Sequence, residues 1–323
     1  MKKILNIDGG GVRVYFPLLI LNYIEKKTGE KIIDLFDFFS GVSASAIILS
    51  GLLTIYSLEE IIKKFKELSS QIFYKSYFYT IKSMFGVLDS KYPDYYINYE
   101  FQKLYKELKI SDIKKPFIIL TYDLSSSKPK CFHSYHKIDD NNLDYLLWEL
   151  IRSSTAAPTY FPAYQLNNLT LIDGGIVANN LSELSFTHAL SHFGNDENFL
   201  QLSIGTGNYL PKFNNPPSGL LSWSGPIFDV LFSAASTNDM NKLMKIGRYE
   251  NLKHFFRLDI NLNENILLDD YNAFDKMDII FNKWLNENKD EIDKICDEII
   301  KNTRIISESG EIIDTTKDLD MEI

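Results

Sequence analysis

Three segments of the chain share one form: a short apolar run, a turn of small residues, and an apolar-periodic helix. Lys3 to Ile7 runs into Asp8-Gly9-Gly10-Gly11-Val12-Arg13, and the spacing beyond predicts a helix over about 15–27. Leu35 to Ser40 runs into Gly41-Val42-Ser43-Ala44-Ser45, with a helix expected over 46–53. Leu169 to Ile172 delivers Asp173-Gly174-Gly175, with a helix expected over 181–193. Strands alternating with helices favour a mostly parallel sheet covered on both faces. The turns of such a sheet gather at the carboxyl ends of its strands, where ligands bind. The three turns therefore make one candidate site.

The rest of the chain fits the same class. Strands are predicted at 116–121, 130–135, 199–204 and 254–258, the third ending at Gly205-Thr206-Gly207. Helices are predicted at 98–108, 143–152, 226–246 and 274–302. Ser57-Leu58-Glu59-Glu60 reads as a capping box, in which the serine oxygen accepts from the backbone and Glu60 reaches back.

Composition narrows the function. A net charge of -9 argues against a nucleic-acid binder, which usually carries a basic face. Cys131 and Cys296 cannot make a disulfide framework, and no Cys/His cluster suggests zinc. The expected location is the cytoplasm: the apolar run after Met1-Lys2-Lys3 is too short for a signal peptide. Phe38 to Leu58 is free of charge for 21 residues, which is membrane-spanning length. Eight of those residues are Ser, Thr or Gly, so the favoured reading is a buried strand, turn and helix.

Gly41 to Ser45 is a near match to the nucleophile elbow G-x-S-x-G, with Ser45 in place of the last glycine. The glycine run at 9–11 fails as a dinucleotide fingerprint, because Val14 stands where the third glycine belongs. It fails as a phosphate loop, because no Gly-Lys-Ser/Thr follows. It suits an oxyanion hole, in which backbone N–H groups at a helix entry are left uncovered by side chains. A serine hydroxyl needs a base. His188, His192 and His254 follow Asp173, but no loop signal aims any of them at the turns. Asp173, at a strand end and followed by two glycines, is the better candidate, with a histidine triad as the alternative.

Taken in order, these segments resemble the motifs of the patatin-like phospholipase family. Asp8 to Arg13 looks like its glycine-rich oxyanion motif, and Gly41 to Ser45 like its elbow. Ser154-Thr155-Ala156-Ala157-Pro158-Thr159-Tyr160-Phe161-Pro162 is similar to its serine-alanine-proline segment. Asp173 to Asn180 resembles its aspartate-glycine motif, and Leu202 to Gly207 the strand and turn that follow. Asp123 to Tyr135 resembles its hairpin, so the likeness runs from Lys3 to Gly207.

The resemblance implies a three-layer α/β/α sandwich with a mostly parallel central sheet and a helical C-terminal extension. It implies Ser43 as nucleophile and Asp173 as base, with Gly41 and Ser45 shaping the elbow and Gly174 and Gly175 following the base. Gly9, Gly10 and Gly11 would form the oxyanion hole, with the N–H groups of Gly10 and Gly11 as donors and Arg13 nearby. No metal and no cofactor is implied. The implied activity is serine lipid acyl hydrolysis of the phospholipase A type. Membrane glycerolipids would be the substrate, reached by peripheral binding; oligomeric state is left open.

The expected organisation is a catalytic core at 1–207, a helical extension packed on it at 208–306, and an acidic flexible tail at 307–323. Residues 72–99 are dense in aromatics, with Lys75, Lys82 and Lys91 interleaved. They read as ordinary core and surface side chains, or as a lid or lipid-facing surface. Ser45 and Val14 stand where the family carries glycine, and they define a rival: the same fold as a weak or inactive binding module. A second rival is a membrane-degrading effector switched on by a small ligand.

Overall fold

Lys2–Ile7 forms the first strand, β1, and every residue from Ile4 to Ile7 is buried. The structure is a computed structural model that describes residues 1–54, 56–84, 88–135, 144–209, 218–219, 223, 230, 234, 250–301, 305–306 and 312–313. A 3-10 turn, Gly11–Val14, leads from β1 into α1, Tyr15–Thr28. Helix α1 stops at Gly29, whose φ of 75° suits the left-handed position that closes a helix. A short α2, Ile32–Leu35, precedes β2, Phe38–Val42, and α3, Ala44–Leu52. The uncharged run is thus a buried strand, a turn and a nine-residue helix. No helix among the described residues is long and apolar enough to cross a membrane.

Helix α4, Leu58–Ile72, opens on the expected capping box: Ser57 Oγ accepts from Glu60 N–H, and Glu60 accepts from Ser57 N–H at 2.8 Å. Then come α5, Tyr77–Lys82, and α6, Asp94–Tyr105. Next are β3, Phe117–Asp123, β4, Lys128–His133, and α7, Leu147–Ser154. They are followed by β5, Tyr164–Leu166, β6, Leu169–Asp173, α8, Ser182–Phe193, and β7, Phe199–Ile204. The chain continues with β8, Leu252–Leu258, and α9, Phe274–Lys301. The helix expected over 226–246 falls almost wholly outside the described residues. In the expected tail, β9, Ile305–Ile306, pairs antiparallel with β10, Ile312–Ile313.

The main sheet runs β5-β6-β3-β2-β1-β7-β8, with β4 also paired to β3. Strands β3, β2, β1, β7 and β8 are parallel neighbours, and β4, β5 and β6 run antiparallel to theirs. Two-residue alternation sorts β1 between faces. Ile4 packs with Phe38, Ile118, Phe199 and α8 on one side, and Leu5 and Ile7 join the larger core on the other. The result is an α/β/α sandwich. Helix α9 lies along α1: Tyr15 Oη donates to Asp278 at 2.8 Å and Tyr23 Oη to Asp293 at 2.6 Å.

One element differs from expectation. The Asp173 strand does not repeat the parallel strand–turn–helix form, because β5 and β6 are a hairpin. Leu166 pairs with Leu169 across the two-residue turn Asn167-Asn168, and Asn167 takes φ 54°. Asparagine tolerates that left-handed conformation, which tight hairpins need. The reversal brings β6 back antiparallel to β3, with Asp173 opposite Thr121.

Candidate active site

Strand register brings Ser43 and Asp173 together. Val42 is level with Leu120 on β3, so the next residue, Ser43, emerges level with Thr121, the partner of Asp173. Ser43 Oγ donates to Asp173 Oδ2 at 2.6 Å. The other carboxylate oxygen accepts the Gly175 N–H at 2.8 Å. Gly174 makes this close approach possible, since a Cβ there would stand 2.5 Å from the Leu120 carbonyl oxygen.

Ser43 sits at φ 58°, ψ -135°, a conformation that non-glycine residues hold only under external constraint. Two side chains impose the constraint. Ser154 Oγ accepts the Ser43 N–H at 2.9 Å and donates to the Leu120 carbonyl at 2.8 Å, tying the elbow to β3. Ser45 Oγ accepts the Val42 N–H at 2.8 Å and lies 2.8 Å from the carbonyl oxygens of Ile7 and Val42. The serine that departs from G-x-S-x-G thus fills its space and stitches the elbow to β1. Ser43 is also the residue before the first turn of α3, where the helix dipole favours negative charge.

The glycine loop is held from three sides. Its Gly9 carbonyl accepts from Asn179 Nδ2 at 3.1 Å and from Thr206 Oγ1 at 2.9 Å. The Gly9 N–H is spent on the Asn179 carbonyl at 3.2 Å, so Gly9 shapes the loop and offers no free donor. The N–H groups of Gly10 and Gly11 find no acceptor among the described residues. Gly11 takes φ 56°, and a Cβ on it would overlap the carbonyl of Leu268, which accepts the Val12 N–H at 2.8 Å. Arg13 is buried in the turn, donates its backbone N–H to the Gly10 carbonyl at 3.0 Å, and does not line the cleft. Val14 is fully buried and continues the turn into α1.

Asp8, itself buried, begins this loop in an ionic group with the partly exposed Arg257 and Asp259. Arg257 on β8 donates to Asp8 Oδ1 at 3.0 Å and Oδ2 at 2.7 Å, and to Asp259 at 2.8 Å. Burial works against the guanidinium charge, but the two carboxylates outweigh it and raise the Arg257 pKa. This pair is not among the candidate residues read from the sequence. The signal that could have found it is an arginine next to the apolar Phe255, Phe256 and Leu258 of β8, where a charge demands a partner.

Asp173 is fully buried, and among the described residues no charged partner compensates it. Burial pushes its carboxyl up to about 7, against hydrogen bonds from Ser43 and Gly175 that favour the charged form. A carboxylate titrating there, 2.6 Å from a serine hydroxyl, is poised to accept a proton. The histidines lie elsewhere. His188 and His192 on α8 contact Tyr135, and His254 stacks near Phe256 at 6.0 Å. His136 lies outside the described residues.

An apolar cleft of about 600 Å³, partly open to solvent, runs from Ser43 and Gly11 between Phe65, Leu68, Ile72 and Phe161. Leu268, from the segment before α9, forms another wall. Asp269 beside it is buried and bonded to Tyr92 Oη at 2.6 Å and to Lys91. Among the described residues no cluster of His, Cys, Asp and Glu could hold a metal ion.

A family model described as patatin-like phospholipase matches residues 5–184. The chain is 25% identical over 320 residues to Patatin-like protein 4 of Arabidopsis thaliana, covering 84% of this chain and 79% of that protein. It is 30% identical over 286 residues to Patatin-like protein 2 of the same plant, covering 73% and 70%. It is 27% identical over 317 residues to Calcium-independent phospholipase A2-gamma of Rattus norvegicus, covering 91% of this chain and 40% of that protein.

Proposed function

The chain belongs to the patatin-like phospholipase family, and on that premise we propose that it is a serine lipid acyl hydrolase of the phospholipase A type, working through Ser43 and Asp173. The observation that carries the proposal is the 2.6 Å hydrogen bond from Ser43 Oγ to a buried Asp173, at the floor of an apolar cleft. The cleft suits an acyl chain, and the free N–H groups of Gly10 and Gly11 suit a carbonyl oxygen beside Ser43.

The chemistry follows from these positions. Asp173 takes the hydroxyl proton as Ser43 Oγ bonds to the ester carbonyl carbon. The carbonyl oxygen becomes an oxyanion and accepts from Gly10 and Gly11. The tetrahedral centre collapses, its C–O bond to the glycerol oxygen breaks, and Asp173 returns the proton to that leaving alcohol. Water, deprotonated by Asp173, then attacks the acyl-Ser43 carbonyl, the C–Oγ bond breaks, and Asp173 returns the proton to Ser43 Oγ as the fatty acid leaves. The substrate is a membrane glycerolipid met by peripheral binding. Ser45 supports an active elbow, since its hydroxyl bonds the Val42 N–H and the Ile7 carbonyl and so braces the turn.

Fatty-acid release from phosphatidylcholine tests this reading through its pH dependence. The base must be ionised, and burial holds Asp173 near 7. The rate should therefore fall as pH drops through about 7 and level off above it, with kcat/KM reporting the free enzyme. A flat profile between about pH 5 and pH 8, or no release at all, would count against the dyad.

Ser154→Ala probes the elbow. Without its oxygen, the Ser43 N–H and the Leu120 carbonyl lose their buried partner, at a cost of about 1–3 kcal/mol in stability. The slackened turn should lower kcat about tenfold to a hundredfold with little change in KM. Denaturant melts and steady-state kinetics on the same preparation check both effects.

A further inference from the structure

Of the large hydrophobic side chains exposed among the described residues, eight fall between Tyr74 and Tyr99 and four elsewhere. Helix α5 buries no side chain at all; Tyr77 is 82% exposed and Phe78 78%. A dense group of exposed apolar side chains of this kind marks an interaction site.

The surface continues the cleft. Ile72, Phe73 and Ile97 line the cleft wall, and the exposed residues stand next to them in the chain. Tyr74 packs edge-on against Tyr96 at 5.2 Å, Tyr96 against Tyr95 at 5.4 Å, and Tyr95 stacks on Tyr99 at 6.3 Å. These contacts tie the exposed Tyr74, Tyr95 and Tyr99 together through Tyr96, beside the cleft-lining Phe73 and Ile97 in the chain. Its charge is distinctive too. Ile72 to Leu88, which holds α5, carries Lys75 and Lys82 and no carboxylate; Asp89 follows it, and Asp94 and Glu100 adjoin Tyr95 and Tyr99. Tyrosine rings and lysine stems suit the boundary between headgroups and acyl chains, while carboxylates would oppose it.

We propose that the α5 face, extended by Tyr95 and Tyr99, is the surface by which the protein seats on a phospholipid bilayer, with apolar side chains entering the interface and the cleft mouth facing the lipid. This rests on the lipid hydrolase reading above, and it adds the docking residues and the mode of binding. Attachment is by apolar insertion, because the whole chain carries a net charge of -9 and gains little from anionic lipid.

The test uses full-length protein carrying Ser43→Ala, so that vesicles survive the measurement, and sedimentation with phosphatidylcholine vesicles. Tyr77→Ser with Phe78→Ser should lower partitioning about tenfold or more, with both proteins insensitive to a change from about 0.1 M to about 0.5 M NaCl. On the Ser43 background, the same double variant should hydrolyse a short-chain water-soluble ester within about twofold of wild type and lose vesicle hydrolysis in step with binding. Thermal melts should coincide, since neither side chain is buried. Undiminished vesicle binding by the double variant would overturn the proposal. So would binding abolished by salt, a parallel loss of soluble-ester hydrolysis, or a lipid-free dimer that the double variant breaks. Vesicle binding intact in a wild-type protein that hydrolyses neither substrate would support this surface and overturn the hydrolase reading.

Discussion

Asp173→Asn should cut fatty-acid release about 10³–10⁴-fold while raising the melting temperature at pH 8. The loss of activity follows from position. An amide cannot accept the Ser43 proton, and Asp173 has no histidine between it and the serine, since its bonds go to Ser43 and to Gly175. The gain in stability follows from the sign of the pKa shift. Burial lifts the folded-state value to about 7, above the ordinary 3.8. The stabilising contribution of that shift is fully present below the unfolded value and is lost as pH rises through about 7. At pH 8 the wild type therefore holds a buried carboxylate without a countercharge, and the neutral amide removes that burden. Below about pH 4 the two proteins should melt together. A variant that loses activity but melts lower at pH 8 would mean that Asp173 serves the fold through its charge.

Arg257→Met should destabilise the chain by about 3–5 kcal/mol. The guanidinium makes both of its Asp8 bonds at the start of the glycine loop, and Asp8 is 2% exposed. Burial already lifts the Asp8 carboxyl to about 6 against the pull of Arg257, so removing that partner forces it to bind a proton or to stand as a buried, uncompensated charge, whereas an exposed pair would contribute at most about 1 kcal/mol. Asp8→Asn in the Arg257→Met background should recover a large part of the loss, because the orphaned charge is then gone. Urea melts of the wild type, Arg257→Met, Asp8→Asn and the double variant measure the coupling. Independent, additive losses would show that the ion pair is incidental to the loop.

The two residues of the proposed dyad stood out as candidates because each sits on a pattern with a local cause. Ser43 follows an apolar run and is flanked by small residues, which a strained strand-to-helix turn demands. Asp173 ends a strand and precedes two glycines. The fold class was equally visible, since parallel strands and their helices leave distinct periodicities. The direction of β6 was not. It depends on the Asn167-Asn168 turn, whose three-residue partner strand β5 is too short to show a pattern. A two-residue asparagine turn between apolar runs was the available hairpin signal.

Partners distant in sequence were harder still. Ser154 lies 111 residues from the elbow it braces, and Arg257 lies 249 residues from Asp8. Neither pairing repeats with a helix or strand period, so only the register of the folded sheet reveals them. The aromatic segment at 72–99 divides for the same reason. Phe73, Tyr92 and Phe161 pack together at the cleft, while Tyr77 and Phe78 face outward. Composition alone does not distinguish those two fates.

Activation of Ser43 by Asp173 is tested most directly by mass spectrometry after fluorophosphonate treatment. The wild type should take up one adduct, mapped to Ser43. Asp173→Asn should react at least about a hundredfold more slowly, and Ser43→Ala should take up none. An adduct on another residue, or equal labelling rates for the wild type and Asp173→Asn, would contradict the Ser43–Asp173 dyad.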